Sequence, residues 1–385
     1  MSAHAILSPS SAKRWLTCPP SARLCEKLAK RFGDKATPYA LEGTKAHTLA
    51  ELKLRHANKE INDFNFKTRV EALGDIPSKM DRATDEYADI VISKLYAAGE
   101  GAQLLIEQRL DMSPWAPKCF GTGDAVILSD RIIEVIDYKN GQGVVVKAEG
   151  NPQARFYGLG ALNGFGSLYD APLIRNTIVQ PNIMQDPVTE ETLTREELLA
   201  WGDSIKPAAE LAWEGKGEFR SGDHCRFCLA RAICATRASE AMRIFEHGLA
   251  SPGLIDDADI PEILSILPAA REWISDLEEY ALNQAKLGQV WPGWKLVEGR
   301  RGKRTFRNAE AAREQLIRAG YNTEDFEETK LKNITEIEKL LGKTAFRALL
   351  GSFVTQPEGA PTLAPEDDTR HAVSSAKTDF SDLAD

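Results

Sequence analysis

Gly121-Thr122-Gly123-Asp124, followed by Ile133-Glu134-Val135-Ile136-Asp137-Tyr138-Lys139, is the stretch on which the reading of this chain turns. Val and Ile recur at strand spacing over residues 122–129 and 131–139. Between them, Ser129-Asp130-Arg131 has turn chemistry, with short polar side chains that can bond their own backbone. A hairpin centred at 130–131 sets Asp124 opposite Asp137. Asp137 and Lys139 are two apart on a strand and share a face. Two carboxylates and an ammonium then converge on a sheet face otherwise lined by Ile133 and Val135. Charge on such a face is costly unless neutralised. A divalent Mg²⁺ or Mn²⁺, which prefers carboxylate oxygens, would neutralise it. The plainer alternative is a solvated strand edge with an incidental ion pair, because D-x-K recurs by chance.

Working outward, further strands are predicted over 102–110, 143–147 and 173–180, with a strand and turn over 290–307. Helices are predicted over 8–30, 43–58, 79–99, 152–165, 191–213, 237–247, 259–287, 308–319 and 333–350. Thr194 is a candidate cap, with Glu196 and Glu197 in the first turn. The tail from Gln356, rich in Pro, Ala, Ser, Thr and Asp, is predicted to be disordered. Strands flanked by helices give an α/β (α+β) class. The expected segments are 1–40, 41–220 as the core, 221–290 around a cysteine cluster, 291–355, and the tail 356–385.

The chain has 385 residues and a net charge of −9, so any nucleic-acid contact must come from local basic patches. No apolar run approaches the roughly 18–20 residues of a membrane span. The start, Met1 to Leu7, lacks signal-peptide character. A cytoplasmic setting with reduced thiols is the expectation. No phosphate-binding loop of the motor type is present, so any helicase would be a separate chain.

Two helical pairs flank the strands. His47 and Glu51 are four apart, and so are Gln153 and Tyr157. Each alone is weak, since a helical His is more often a surface or satisfied core residue. Taken in order, Gly43-Thr44-x-x-His47-x-x-x-Glu51, Gly121-x-x-Asp124, Asp137-x-Lys139 and Gln153-x-x-x-Tyr157 resemble the RecB-like branch of the PD-(D/E)XK nucleases. The likeness is strong over about residues 40–180 and looks closest to a phage and prophage group. It implies a restriction-endonuclease-like core with a mixed central sheet flanked by helices. The implied activity is metal-dependent hydrolysis of DNA phosphodiester bonds, with exonuclease action the first expectation, in recombination, repair or phage replication.

The resemblance also implies roles. Asp124, Asp137, His47 and the Tyr138 carbonyl would be metal ligands, and Lys139 would act on the reacting phosphate. Gln153 and Tyr157 would position DNA or the active-site side chains, and Glu51 would orient His47. Arg155, and Arg300, Arg301, Lys303 and Arg304 after Trp291 and Trp294, are candidate phosphate contacts. A solvated turn explains that basic run equally well. Partners would be DNA, with a single-strand-binding or annealing protein or a separate helicase beside it. The alternatives are a catalytically silent DNA-binding scaffold and a nuclease subunit of a larger helicase–nuclease complex.

Cys225-x-x-Cys228-x₅-Cys234 is a compact trio that can clasp a metal. By resemblance to the AddB-type nucleases, Cys18 far upstream would be the fourth ligand of a [4Fe–4S] cluster stapling the two ends of the core. Tetrahedral Zn²⁺ is the rival, with His224 able to replace one thiolate. Cys25 and Cys119 read as packing residues.

Overall fold

Five strands form the centre of the molecule: β1 (Gln103–Asp111), β2 (Phe120–Leu128), β3 (Ile132–Tyr138), β4 (Leu173–Val179) and β5 (Val188–Thr194). They lie in one sheet in the order β1-β2-β3-β4-β5. Every neighbouring pair is antiparallel except β3 and β4, which are parallel. A parallel step needs a crossover, and the helix Pro152–Phe165 lies between those two strands in sequence. The structure, a computed structural model, describes residues 5–32, 38–243, 255, 257–295, 297, 309–319, 334–350 and 354.

Before the sheet come α1 (Ala12–Thr17), α2 (Ser21–Phe32), α3 (Pro38–Ala57), α4 (Asp63–Ala72) and α5 (Ser78–Ala97). The crossover helix is α6, and α7 (Arg195–Glu214), α8 (Ala235–Met242) and α9 (Ile260–Lys286) follow the sheet. Alternation along each strand sends side chains to two apolar layers. Ala125, Ile127, Ile136 and Tyr138 face α3 and α5, packing with Leu49, Leu54, Tyr87 and Val91. Val126, Leu128, Ile133 and Val135 pack with Trp15, Phe156, Leu159 and Leu198 from α1, α6 and α7. The result is a five-stranded mixed sheet between helical layers. α6 lies so close to β1 that a Cβ at Gly160 would stand 2.6 Å from Met112 Sδ and 2.8 Å from Leu110 Cβ.

The hairpin closes as its turn chemistry predicts. Ser129 and Ile132 exchange hydrogen bonds, leaving Asp130 and Arg131 as a two-residue loop. Ala125 pairs with Ile136 and Leu128 with Ile133.

Elsewhere several expectations need correction. Residues 191–194 belong to β5 rather than to a helix. Thr194 caps α7 as expected, in a reciprocal pair of bonds with Glu197. Residues 143–147 form no strand, because side chains take the place of a partner strand. Gln180 donates to Gly141 O and Val144 O and accepts from Val146 N–H. The helix expected over 8–30 is broken at Cys18-Pro19-Pro20, since proline disfavours helix in the residue before it. α4 was not anticipated; Asn62 caps it by accepting from Asn65 N–H. The described part of 290–307 contains no strand. The tail from Gln356 lies outside the described residues.

The chain divides into two compact units, residues 1–297 and 298–385, so the expected boundaries at 40 and 220 fall inside the first. The second unit contains α10 (Ala309–Arg318), α11 (Ile334–Leu341) and α12 (Lys343–Leu350). Gly342, at φ 75°, separates the last two where a single helix was expected. No helix among the described residues is long and apolar enough to cross a membrane.

Candidate active site

Continuing the β2–β3 register by one pair brings Asp124 opposite Asp137. The pairing of β1 adds a third carboxylate. Ile106 pairs with Ala125 and Gln108 with Gly123, so Glu107 falls opposite Asp124 on the other side. Glu107 has φ 54°, a backbone conformation rare outside glycine, in the middle of a strand. Burial, and the nearby charges of Asp124 and Glu51, push its carboxyl up to about 7. Glu107 was not singled out from sequence. Its signal was the register of the first strand, which needs the partner of β1 to be known.

Asp124 accepts from the Tyr138 backbone N–H at 2.7 Å, so its carboxylate caps the end of β3. Its other oxygen lies 3.3 Å from His47 Nδ1, where α3 reaches the sheet end. Burial works against protonation of His47, but the bond from Asp124 and the charge of Asp137 outweigh it and raise its pKa. Asp137 is 7% exposed. Burial, then the charge of Asp124, raises its pKa, while Lys139 opposes both. Lys139 Nζ stands 2.8 Å from Asp137 Oδ2. That oxygen is buried, with the Lys139 ammonium beside it as its charged partner. Burial disfavours the charge on Lys139, yet Asp137 reverses this and the net shift is upward.

Gln153, on the first turn of α6, ties these groups together. Its Nε2 donates to Asp137 Oδ1 at 3.2 Å, and its Oε1 accepts from Lys139 Nζ at 3.3 Å. Tyr157 Oη lies 3.5 Å from the same Nε2. α6 begins here because Asn151 caps it and Pro152 takes its first position. His47, Asp124, Asp137, Lys139, Gln153 and Tyr157 are thus brought into one neighbourhood.

Three of the expected residues have the following partners. Glu51 pairs with Arg55 at 2.8 Å, not with His47, whose partner is Asp124. Arg155 does not point to a phosphate site. It grips Glu191 with two bonds, at 2.9 and 2.6 Å, and lies over Trp201. The Tyr138 amide N–H donates to Asp124. Arg300, Arg301, Lys303 and Arg304 lie outside the described residues.

Among the described residues, no group of three or more His, Cys, Asp or Glu side chains is drawn together as a ready metal site. The donors nonetheless suit a hard cation. They are carboxylate oxygens and one imidazole, and burial together with the charge of Asp124 raises the carboxyls of Glu107 and Asp137.

Cys18, Cys225, Cys228 and Cys234 line one small cavity, together with Arg14, Arg220, Arg231 and Arg237. Burial raises the Cys225 thiol against the pull of Arg237 and Arg14, and the contact with Cys25 together with burial raises Cys228. Cys18 Sγ accepts from Arg220 N–H at 3.5 Å, and Cys225 Sγ is 3.7 Å from His224 Nε2. Cys25, read from sequence as packing, is buried as expected but also meets Cys228, Sγ to Sγ, at 3.6 Å. The bond from Cys228 lowers the Cys25 thiol to about 6 against the effect of burial, with help from Arg14. Cys119 is a core thiol that burial pushes up to about 12.

Among solved structures, that of SSO0001 is similar over 49% of this chain and 85% of its own, at 17% identity and a TM-score of 0.23. So low a score carries no argument about fold or activity. A family model described as "Protein of unknown function (DUF2800)" matches residues 4–371. Because that match spans nearly the whole length, the chain belongs to the DUF2800 family.

Proposed function

We propose that this protein is a metal-dependent deoxyribonuclease that hydrolyses phosphodiester bonds through the site at the end of β2 and β3. The observation that carries the proposal is the pairing of Asp124 with Asp137 beside Lys139, with His47 on Asp124 and Gln153 bridging Asp137 and Lys139. The PD-(D/E)XK resemblance of the motifs supports the same reading.

His47, Asp124 and Asp137 would hold Mg²⁺ or Mn²⁺. The chemistry such a cation supplies is polarisation of a phosphoryl oxygen and acidification of a water. Lys139 supplies a fixed positive charge for the charge that develops on the phosphate. Gln153 holds Lys139 and Asp137 at a set separation through its two amide ends. His47, leaning on Asp124, keeps that carboxylate from rotating. Glu107 belongs to the same constellation by register. The four cavity cysteines are proposed to hold a [4Fe–4S] cluster or, failing iron, Zn²⁺, close to where the N-terminal segment meets the chain beyond α7.

The test is incubation of purified protein with end-labelled linear and circular DNA and Mg²⁺ or Mn²⁺. Cleavage is expected, with loss of at least ~100-fold in Asp124→Ala and in Lys139→Ala. Degradation of linear but not circular DNA would identify exonuclease action. Wild type no more active than both variants on every substrate would sink the nuclease reading and leave a DNA-binding scaffold. Absorbance near 400 nm with bound iron, lost in Cys234→Ser, is expected of the cluster. Zinc in its place would select the alternative.

A further inference from the structure

Cys228 belongs to two groups of sulfurs at once. It lines the cavity with Cys18, Cys225 and Cys234. Its Sγ also lies 3.6 Å from Cys25 Sγ, in a contact between residues 203 apart in sequence. Cys25 sits on α2 and is not among the residues lining the cavity. Both thiols are buried, in a small apolar cluster with Leu28 and Ala230, so the pair is shielded from bulk exchange with large thiols. Arg14 donates to Cys25 Sγ at 2.8 Å. In the metal-free protein this small cavity borders Cys228 directly.

We infer that Cys25 and Cys228 form an oxidation site, at which a peroxide closes a reversible disulfide that withdraws Cys228 from the four-cysteine set. The step balances. One thiol attacks the peroxide, the O–O bond breaks, and a sulfenic acid and water form. The second thiol attacks that sulfur, the S–S bond forms, and a second water leaves. Two thiols are oxidised, one peroxide is reduced, and no further reductant is needed. A dithiol restores the pair. The inference does not depend on nuclease activity.

Tryptic cleavage separates all six cysteines, which makes the test direct. Cys25 falls in Leu24–Lys27, Cys228 in Phe227–Arg231, Cys225 in Ser221–Arg226 and Cys234 in Ala232–Arg237. The full-length protein is treated with hydrogen peroxide, as purified and after chelation, then alkylated, digested without reduction and weighed. Alkylation is expected to be lost from Cys25 and Cys228 together, with their two peptides joined. Dithiothreitol should reverse the link. Any metal carried at the cysteines should be released in step with linkage in wild type, and more slowly in Cys25→Ser. A dominant link from Cys228 to Cys225 or Cys234 would overturn the inference. So would full alkylation of Cys25 after metal loss. The peptide mapping reads wild type alone, so the outcome stands even if Cys25→Ser folds poorly.

Discussion

Burial, and then the charge of Asp124 across the sheet, makes an ionised Glu107 costly. Its folded-state pKa is raised from 4.5 to about 7. A raised carboxyl destabilises the fold once it must ionise. Wild type should therefore lose stability as pH rises from about 4.5 through about 7. Glu107→Gln removes that loss. In metal-free protein it should be more stable above pH 7 by on the order of 1 kcal/mol, after allowing for solvent screening. The two should converge near pH 4. Denaturant titrations at several pH values check this, and a variant less stable at pH 8 would refute it. Asp124 and Asp137 were readable from sequence because a two-residue turn fixes their register. Glu107 was not, because β1 joins β2 through Met112–Cys119, a longer connection that sets no register in advance. Arg155 was misjudged for a related reason. Its partner Glu191 lies on β5, in a segment whose acidic residues resemble the first turn of a helix.

At the level of elements, α6 and the end of β1 make a close joint. A methyl group at Gly160 would meet Met112 Sδ, which can move, and Leu110 Cβ, which cannot. Gly160→Ala should destabilise the protein by about 1–3 kcal/mol through overpacking, despite its better helix propensity. Because α6 also carries Gln153 and Tyr157, cleavage should fall too, whereas a change on the solvent side of α6 should spare both. Thermal melts alongside activity assays separate these outcomes, and an unchanged melting temperature would contradict the packing account. Helices and strands with strong apolar periodicity were legible in the sequence, β2, β3, α6 and α9 among them. The 143–147 segment was not. Its Val run looks like a strand, but its backbone bonds go to the Gln180 side chain, and no local pattern announces that.

Across the first unit, Asp276 of α9 gathers Arg231 and Arg237 from the cysteine-bearing segment, at 2.8 and 2.6 Å. Burial alone would raise its carboxyl, but the two guanidinium groups win and hold it below its usual 3.8. The stability this lends is present above pH ~4 and is lost as pH falls through the lowered value. Asp276→Asn should cost about 1 kcal/mol at pH 7 and nothing once the wild type is protonated in acid. Acid-unfolding curves that stay parallel down to low pH would argue against it. The net charge of −9 gives a further whole-molecule constraint. DNA binding must rely on local cations and should weaken steeply with added salt.

The meeting of α1 and α2 with residues 213–228 has a consequence for how the chain is born. Arg23 donates to Trp213 O and stacks on its ring, Arg220 N–H reaches Cys18 Sγ, and Cys25 meets Cys228. On a ribosome, the opening helices emerge roughly 10–40 s before those partners exist. Throughout that interval Leu7, Trp15 and Leu28 have nothing native to cover part of their surface. Nascent chains arrested near residue 200 should therefore present a hydrophobic N-terminus to chaperones, and chains arrested beyond residue 270 should have let them go.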